Sequence, residues 1–326
     1  MLVNGVWQEK WNPYQKQNLE GAFIRQTSSF RHWVSTDGSP GRTGDAGFIA
    51  QPGRYHLYIA LICPWASRTL MMRKLKGLEK VISISVVEPF LTDEGWRFAP
   101  KQGGFHGSDS DVVNNKEYVH QLYTQVDPRI SGRATVPILW DKQRQCIVNN
   151  ESADIIEMLN SAFDEYAEND IDLRPQTLLS SIEKLNKYLY HNLNNAVYET
   201  GFAVSQSAYE SAYSKVFTAL DTLELQLSDG RAYLLGETMT ECDIRAFVTL
   251  VRFDVAYHGL FKCNRKRISD YPWLSAYTAR IYDLDGISET VNFTHIKNGY
   301  YSVAALNPSL IVPTGPLLSF TDRSVS

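Results

Sequence analysis

Tyr55-His56-Leu57-Tyr58-Ile59-Ala60-Leu61-Ile62-Cys63-Pro64-Trp65-Ala66 is the stretch that decides the fold. Leu57, Ile59 and Leu61 alternate with Tyr58 and Ala60, the period of a buried strand. Pro64 then opens a helix, because proline suits the first helical position, where its missing N–H would have had no partner. The helix continues through Arg68-Thr69-Leu70-Met71-Met72-Arg73-Lys74-Leu75 to a stop at Gly77, and Val81 to Val87 reads as a second strand. Strand, helix and strand make one β-α-β unit with parallel strands. Cys63 falls between the first strand and the helix, where unpaired N–H groups and the positive end of the helix dipole favour a thiolate. The residue pattern alone leaves a second reading open, since an isolated cysteine is commonly a small buried hydrophobe.

Working outward, residues 1–54 form an N-terminal extension whose Gly38, Gly41, Gly44 and Gly47, with Pro40 and Pro52, favour irregular backbone over helix or sheet. These glycines lack a Gly-Lys-Ser/Thr sequence and a preceding strand, so they mark turns and not a phosphate loop. On the other side, residues 88–113 form a long loop containing Trp96, followed by a helical stretch near 114–126. Val136-Pro137-Ile138-Leu139-Trp140 and Cys146-Ile147-Val148 read as an antiparallel hairpin, and a helix from Ser152 to Ala162 closes a domain spanning 55–165. Beyond Pro175 the apolar spacing is helical, seen in Leu178, Ile182, Leu185, Leu189 and again in Val216, Leu220, Leu223, Leu227, giving an all-helical domain over 175–300. Thr240-Glu241-Cys242-Asp243 carries a capping box, which assigns Asp243 a structural role. A tail, 301–326, completes the chain and carries no functional signal.

At 326 residues the chain is long enough for two cores. Its formal charge of −4 gives no general attraction to nucleic acid, and Arg265-Lys266-Arg267 is too short to track a phosphate backbone. The first twenty residues, with Trp7, Trp11 and Glu20, lack the apolar core of a signal peptide, and no apolar stretch is long enough to span a bilayer. Cys63, Cys146, Cys242 and Cys263 are too sparse for a disulfide framework, and none forms a Cys-x-x-Cys pair. A reducing, cytoplasmic setting is therefore expected. Ala66 stands where a dithiol motif would place its second cysteine, so Cys63 must borrow a resolving thiol, and glutathione is the abundant cytosolic candidate. The seven histidines show no metal-ligand spacing and Gly-x-Ser-x-Gly is absent, so no metal is expected.

Tyr55-His56-Leu57-Tyr58, Cys63-Pro64-Trp65-Ala66, Thr135-Val136-Pro137, Asn150-Glu151-Ser152 and Arg252-Phe253-Asp254 together resemble the xi class of glutathione transferases, the glutathionyl-hydroquinone reductases. The likeness runs from Gly5-Val6-Trp7 to about Tyr300. It implies an α/β thioredoxin-like domain followed by an all-α glutathione-transferase C-terminal domain, glutathione as co-substrate, and a homodimer. It also implies a cis Val136–Pro137 bond and a glutathione site made of Trp96, Arg133, Ala134, Thr135, Val136, Glu151 and Ser152. Ser152 can in addition serve as a helix N-cap. Cys63 is implied as nucleophile, with Tyr198, Tyr257 and Tyr300 as a hydroquinone pocket, and Tyr301 as a competitor for the place of Tyr300. The activity implied is reduction of glutathionyl-hydroquinones through a Cys63–glutathione mixed disulfide, releasing glutathione disulfide. Two other readings compete: an omega-like thioltransferase or dehydroascorbate reductase, and a non-catalytic glutathione-binding module.

Overall fold

The structure is a computed structural model that describes residues 1–8, 17–44, 46–318 and 320. Trp11 and the end of the tail, 321–326, lie outside the described residues. The chain divides into two compact units. The first comprises Met1–Asn12, Gln26–Asp172 and Thr290–His295, and the second Pro13–Arg25, Leu173–Glu289 and Ile296–Ser326.

In the first unit, two short strands, β1 (Leu2–Val3) and β2 (Val6–Trp7), form an antiparallel pair, and β3 (Trp33–Ser35) pairs in parallel with β4 (Gly47–Ile49). Most of the described residues in 1–54 are irregular, as their glycine and proline density predicts, and these short strands are the departures from it. Val34 and Phe48 are buried, and the His32 N–H donates to the Val148 carbonyl at 3.0 Å, so apolar burial and cross-chain pairing order the segment. The main sheet is built from β5 (Tyr55–Ile59), β6 (Ser83–Val86), β9 (Ile138–Asp141) and β10 (Cys146–Asn149), in the order β10-β9-β5-β6. Strand β5 pairs in parallel with β6, His56 opposite Ser83, and antiparallel to β9, Tyr55 opposite Asp141. A small hairpin, β7 (Leu91–Thr92) and β8 (Gly95–Trp96), lies in the long loop between β6 and α2.

All five residues of β5 are buried because it is a central strand, with neighbours on both edges. Its polar members are paired accordingly. His56 meets Ser83 and Ser85 hydroxyls at 2.8 and 3.0 Å, and the Tyr58 hydroxyl donates to Asp111 at 2.8 Å. Helix α1 (Pro64–Leu75) ends as the sequence predicts: Gly77 has φ +64°, its N–H donates to the Lys74 carbonyl, and the Leu78 N–H donates to Arg73. That is a Schellman closure, which needs a left-handed residue and so favours glycine. Helices α2 (His120–Val126) and α3 (Ser152–Ser161) complete the unit.

The second unit is helical, with α4 (Leu179–Leu189), α5 (Ala196–Gly201), α6 (Gln206–Leu227), α7 (Glu241–Arg252) and α8 (Pro272–Tyr282). Helix α9 (Phe293–Tyr301) begins in the first unit's residues and ends in the second's. Val216, Leu220, Leu223 and Leu227 are all buried, as their spacing predicts. The face of α4 differs: Ile182 and Leu189 are buried, while the buried polar Asn186 bonds the wholly buried Glu241, which also accepts from Arg174 at 2.5 Å. Asp243 closes the capping box at the start of α7, accepting from the Thr240 N–H at 2.8 Å, the Leu234 N–H at 2.9 Å and the Tyr277 hydroxyl at 2.8 Å. Among the described residues no helix is long and apolar enough to cross a membrane.

Candidate active site

Strand β5 stops at Ile59, earlier than the sequence alternation suggested, and Ala60–Ile62 turn back so that the Cys63 N–H donates to the Ala60 carbonyl at 3.0 Å. Cys63 thereby becomes the N-cap of α1, with extended backbone at φ −76° and ψ 116°. Its Sγ lies 3.7 Å from the carbonyl oxygen of Val136, whose peptide bond to Pro137 is cis. The first turn of α1 has no acidic residue, and the Arg68 guanidinium rests on the Trp65 ring, 4.4 Å from its centroid. A sulfur at this helix start is thus placed where negative charge is favoured. The other cysteines have the opposite environment. Burial pushes the Cys242 and Cys263 thiols up to about 12 and also raises Cys146. No disulfide joins any of the four.

The residues assigned to glutathione by resemblance occupy the same unit. Gly132 exchanges both backbone hydrogen bonds with Leu2, at 2.9 and 3.0 Å, which anchors the start of the half-buried Arg133-Ala134-Thr135 run leading to Val136. The Tyr123 hydroxyl donates to the Thr135 carbonyl at 2.9 Å and accepts from its N–H at 3.1 Å. Asn150 Nδ2 donates to that hydroxyl at 3.0 Å, joining the run to the start of α3. There the N-cap is Glu151, accepting from the Ala153 N–H at 3.1 Å, while Ser152 is the first helical residue and buried. The capping role expected for Ser152 therefore belongs to the residue before it. Ser28 Oγ donates to the other carboxylate oxygen of Glu151 at 2.8 Å, and Arg31 forms an ion pair with Asp154. Trp96, half-exposed on β8, has its carbonyl held by the Val119 N–H at 2.9 Å, and the Trp7 indole donates to the neighbouring Asp93 carbonyl at 2.8 Å.

The three tyrosines come together in the second unit. Tyr198 and Tyr300 hydroxyl oxygens are 2.6 Å apart, and those of Tyr257 and Tyr300 are 2.9 Å apart. Tyr300, not Tyr301, is therefore the member of this chain. Both α4 and α7 run on into π-helical turns, Tyr190–Asn194 and Phe253–Tyr257, which re-aim the following residues by inserting one extra residue. Tyr257 ends the second turn, and Tyr198 follows the first in α5. Phe261 packs edge-on to Tyr198 with centroids at 5.4 Å, a position open only because residue 201 is glycine: a Cβ there would lie 2.4 Å from the Phe261 ring. Burial holds the Tyr257 and Tyr300 phenols protonated well above the ordinary tyrosine range, and the adjacent Tyr198 oxygen adds to the effect. Tyr198 is half-buried, whereas Tyr257 and Tyr300 are buried.

Two family models match, the glutathione S-transferase N-terminal domain over residues 62–162 and the glutathione S-transferase C-terminal domain over 206–280. The Escherichia coli K12 protein named glutathionyl-hydroquinone reductase YqjG is 49% identical over 97% of this chain and 94% of its own length. Its glutathione-bound structure superposes with a TM-score of 0.89, covering 99% of this chain and 97% of the other at 46% identity. The xi glutathione transferase of Phanerochaete chrysosporium, 45% identical, superposes at 0.87 over 93% of this chain and 95% of its own. The chain belongs to the xi-class glutathione transferases. A further relative, glutathionyl-hydroquinone reductase PcpF of Sphingobium chlorophenolicum, is 45% identical over 97% of this chain and 96% of its own. Seen as a xi-class member, the chain holds supporting residues to which its sequence assigned no role: Trp7, Ser28, Arg31, Tyr123 and Asn150. Trp7, inside the quoted Gly5-Val6-Trp7, and Asn150, inside the quoted Asn150-Glu151-Ser152, carried a signal; Ser28, Arg31 and Tyr123 carried none. Among the described residues no three His, Cys, Asp or Glu side chains converge as a metal site requires.

Proposed function

We propose that this enzyme reduces glutathionyl-hydroquinones to hydroquinones with glutathione as co-substrate. The observation that carries the reading is the placement of Cys63 Sγ at the head of α1, 3.7 Å from the Val136 carbonyl, in a chain 49% identical to a glutathionyl-hydroquinone reductase. The Cys63 thiolate attacks the glutathionyl sulfur, the hydroquinone leaves, and a second glutathione attacks the mixed disulfide to release glutathione disulfide and restore the thiolate. Val136 supplies backbone groups to the cysteinyl part of glutathione, with Arg133, Ala134 and Thr135 extending that surface. The start of α3 receives the γ-glutamyl end, Ser152 and the helix N–H groups its carboxylate and Glu151 its amine. Trp96 covers the peptide.

The aryl carbon–sulfur bond sets a demand that Cys63 alone does not meet. Thiolate attack would expel an aryl carbanion, which is too basic to leave. Tyr198 takes the proton of a hydroquinone hydroxyl and returns it to the carbon bearing sulfur, so that an enolate departs. Tyr300 and Tyr257 act through Tyr198 as hydrogen-bond donors. The enzyme works in the cytoplasm as a homodimer, a state that sedimentation would test. The decisive experiment omits added glutathione. With a glutathionyl-hydroquinone alone, intact mass should show one glutathione on Cys63 and released hydroquinone, whereas a disulfide between Cys63 and another protein cysteine would overturn the monothiol scheme.

A further inference from the structure

The N-terminal segment carries no chemistry in its sequence, yet it delivers a cation to the candidate proton carrier. Arg25 lies in the same compact unit as Tyr198. Its guanidinium carbon stands 5.0 Å from the centroid of the Tyr198 ring and 5.5 Å from that of Phe23. The orientation is fixed by Nε, which donates to the side-chain carbonyl of Asn195 at 2.8 Å. Asn195 in turn gives its Nδ2 to Glu199 at 2.9 Å, and Glu199 also accepts from Lys215 Nζ at 3.2 Å. The Glu199 carboxylate is thus engaged by Asn195 and Lys215, and Asn195 lays the guanidinium on the phenol ring. A cation over an aromatic face is attracted by the ring's electron density, and the attraction grows when the ring gains negative charge.

We infer that Arg25 is a positioning residue for Tyr198, holding the ring in place and stabilising the negative charge it carries after releasing its hydroxyl proton. This rests on the assignment of Tyr198 to the proton-transfer step. In that step Tyr198 oxygen accepts the hydroquinone hydroxyl proton and then gives it to the ring carbon, so the active starting form is the anion. Its oxygen is already placed to receive the Tyr300 hydroxyl at 2.6 Å. Among the described residues, the charged and titratable groups that face the ring or its hydroxyl row are Arg25 from the N-terminal segment, Glu199 on α5, Lys215 on α6, Tyr257 at the second π-helical turn and Tyr300 on α9, with Arg252 acting on Tyr257 and Tyr300. The guanidinium carbon of Arg25 lies 5.0 Å over the Tyr198 face. The N-terminal segment is thereby part of the hydroquinone chemistry and not only a cover.

The test compares wild type, Arg25→Gln and Arg25→Lys. Rates of carbon–sulfur cleavage are measured across pH beside reduction of a simple glutathione mixed disulfide, which needs no phenol. In Arg25→Gln the rising limb of the cleavage profile should move up by about one pH unit, a loss of about tenfold near neutrality. Arg25→Lys should recover part of it, and disulfide reduction should stay within about twofold. Independently, the same proteins labelled with 3-fluorotyrosine are titrated by fluorine NMR, the Tyr198 resonance being assigned by its loss in Tyr198→Phe. The Tyr198 midpoint should rise in Arg25→Gln. An unmoved midpoint, or an equal fall in both activities with an unchanged pH profile, would overturn the role of Arg25. If Tyr198→Phe cleaves carbon–sulfur bonds at the wild-type rate, the proton-transfer assignment fails instead, and the titration still decides whether Arg25 acts on Tyr198.

Discussion

Replacing Tyr198 with Phe removes one oxygen from a row of three and separates chemistry from fold. The Tyr300 hydroxyl loses its 2.6 Å partner but keeps Tyr257 at 2.9 Å, so no buried hydroxyl of the row is stranded. The stability cost should then be that of one ordinary hydrogen bond, about 1 kcal/mol. The catalytic cost should be much larger. General acid–base help from a positioned group is worth on the order of 100-fold or more, equivalent to about 2.7 kcal/mol of barrier. The assay follows hydroquinone release from a glutathionyl-hydroquinone under excess glutathione, beside reduction of a glutathione mixed disulfide by the same protein. The leaving group in the second reaction is a thiolate that needs no proton on carbon, so its rate should stay within a few-fold. Equal loss on both substrates would refute the reasoning and make Tyr198 a packing or glutathione-site residue.

Tyr300→Phe should behave differently, because it removes the middle oxygen and leaves the wholly buried Tyr257 without its 2.9 Å partner; denaturant unfolding should report a loss of about 1–3 kcal/mol. Ser152→Ala should weaken use of glutathione while leaving alkylation of Cys63 and thermal stability nearly unchanged, because Glu151 and not Ser152 caps α3; Glu151→Ala should cost about 1 kcal/mol of stability as well. The His56 imidazole, buried between Ser83 and Ser85, is held down to about 4 chiefly by burial. Between its ordinary 6.5 and about 4 the unfolded chain binds a proton that the folded chain does not, so this contribution is present above pH 6.5 and is lost as pH falls. The loss should reach about 3 kcal/mol at pH 4, and a His56→Gln variant should lack that slope in urea titrations.

Local punctuation made the first unit's central elements legible. Pro64 and Gly77 bracket α1 to the residue, and the strands around them appear within a few positions because their apolar period is uninterrupted. The site around Cys63 was legible only in part. Ser28 meets Glu151 across 123 residues of chain, and Tyr123 reaches Thr135 and Asn150 through one hydroxyl, so no window of sequence contains either arrangement. Glu151 rather than Ser152 caps α3 because a tertiary donor, Ser28, fixes its carboxylate, a contact that capping preferences do not weigh. The phenol row was invisible to periodicity for a further reason. Two π-helical turns interrupt the 3.6-residue repeat around Tyr198 and Tyr257, and eighteen tyrosines give composition no way to choose among them.

In the proposed mechanism burial is used in opposite senses for the thiols and the phenols. Cys242 and Cys263 are fully buried, and their thiols, pushed up to about 12, are poor nucleophiles at neutral pH. Cys63 keeps partial exposure and stands at a helix start, as the proposed nucleophile requires, whereas Cys146, also partly exposed, has its thiol raised by burial. For the phenols the buried members are useful because they do not ionise. Tyr257 and Tyr300 keep their protons far above neutral pH, and their hydroxyl oxygens stand in a row that leads to the less buried Tyr198. A proton carrier must exchange its proton with substrate and still be held in line. In the proposed mechanism the two protonated phenols beside Tyr198 and the guanidinium across its ring supply the alignment, and the proton that moves is the one Tyr198 takes from the hydroquinone.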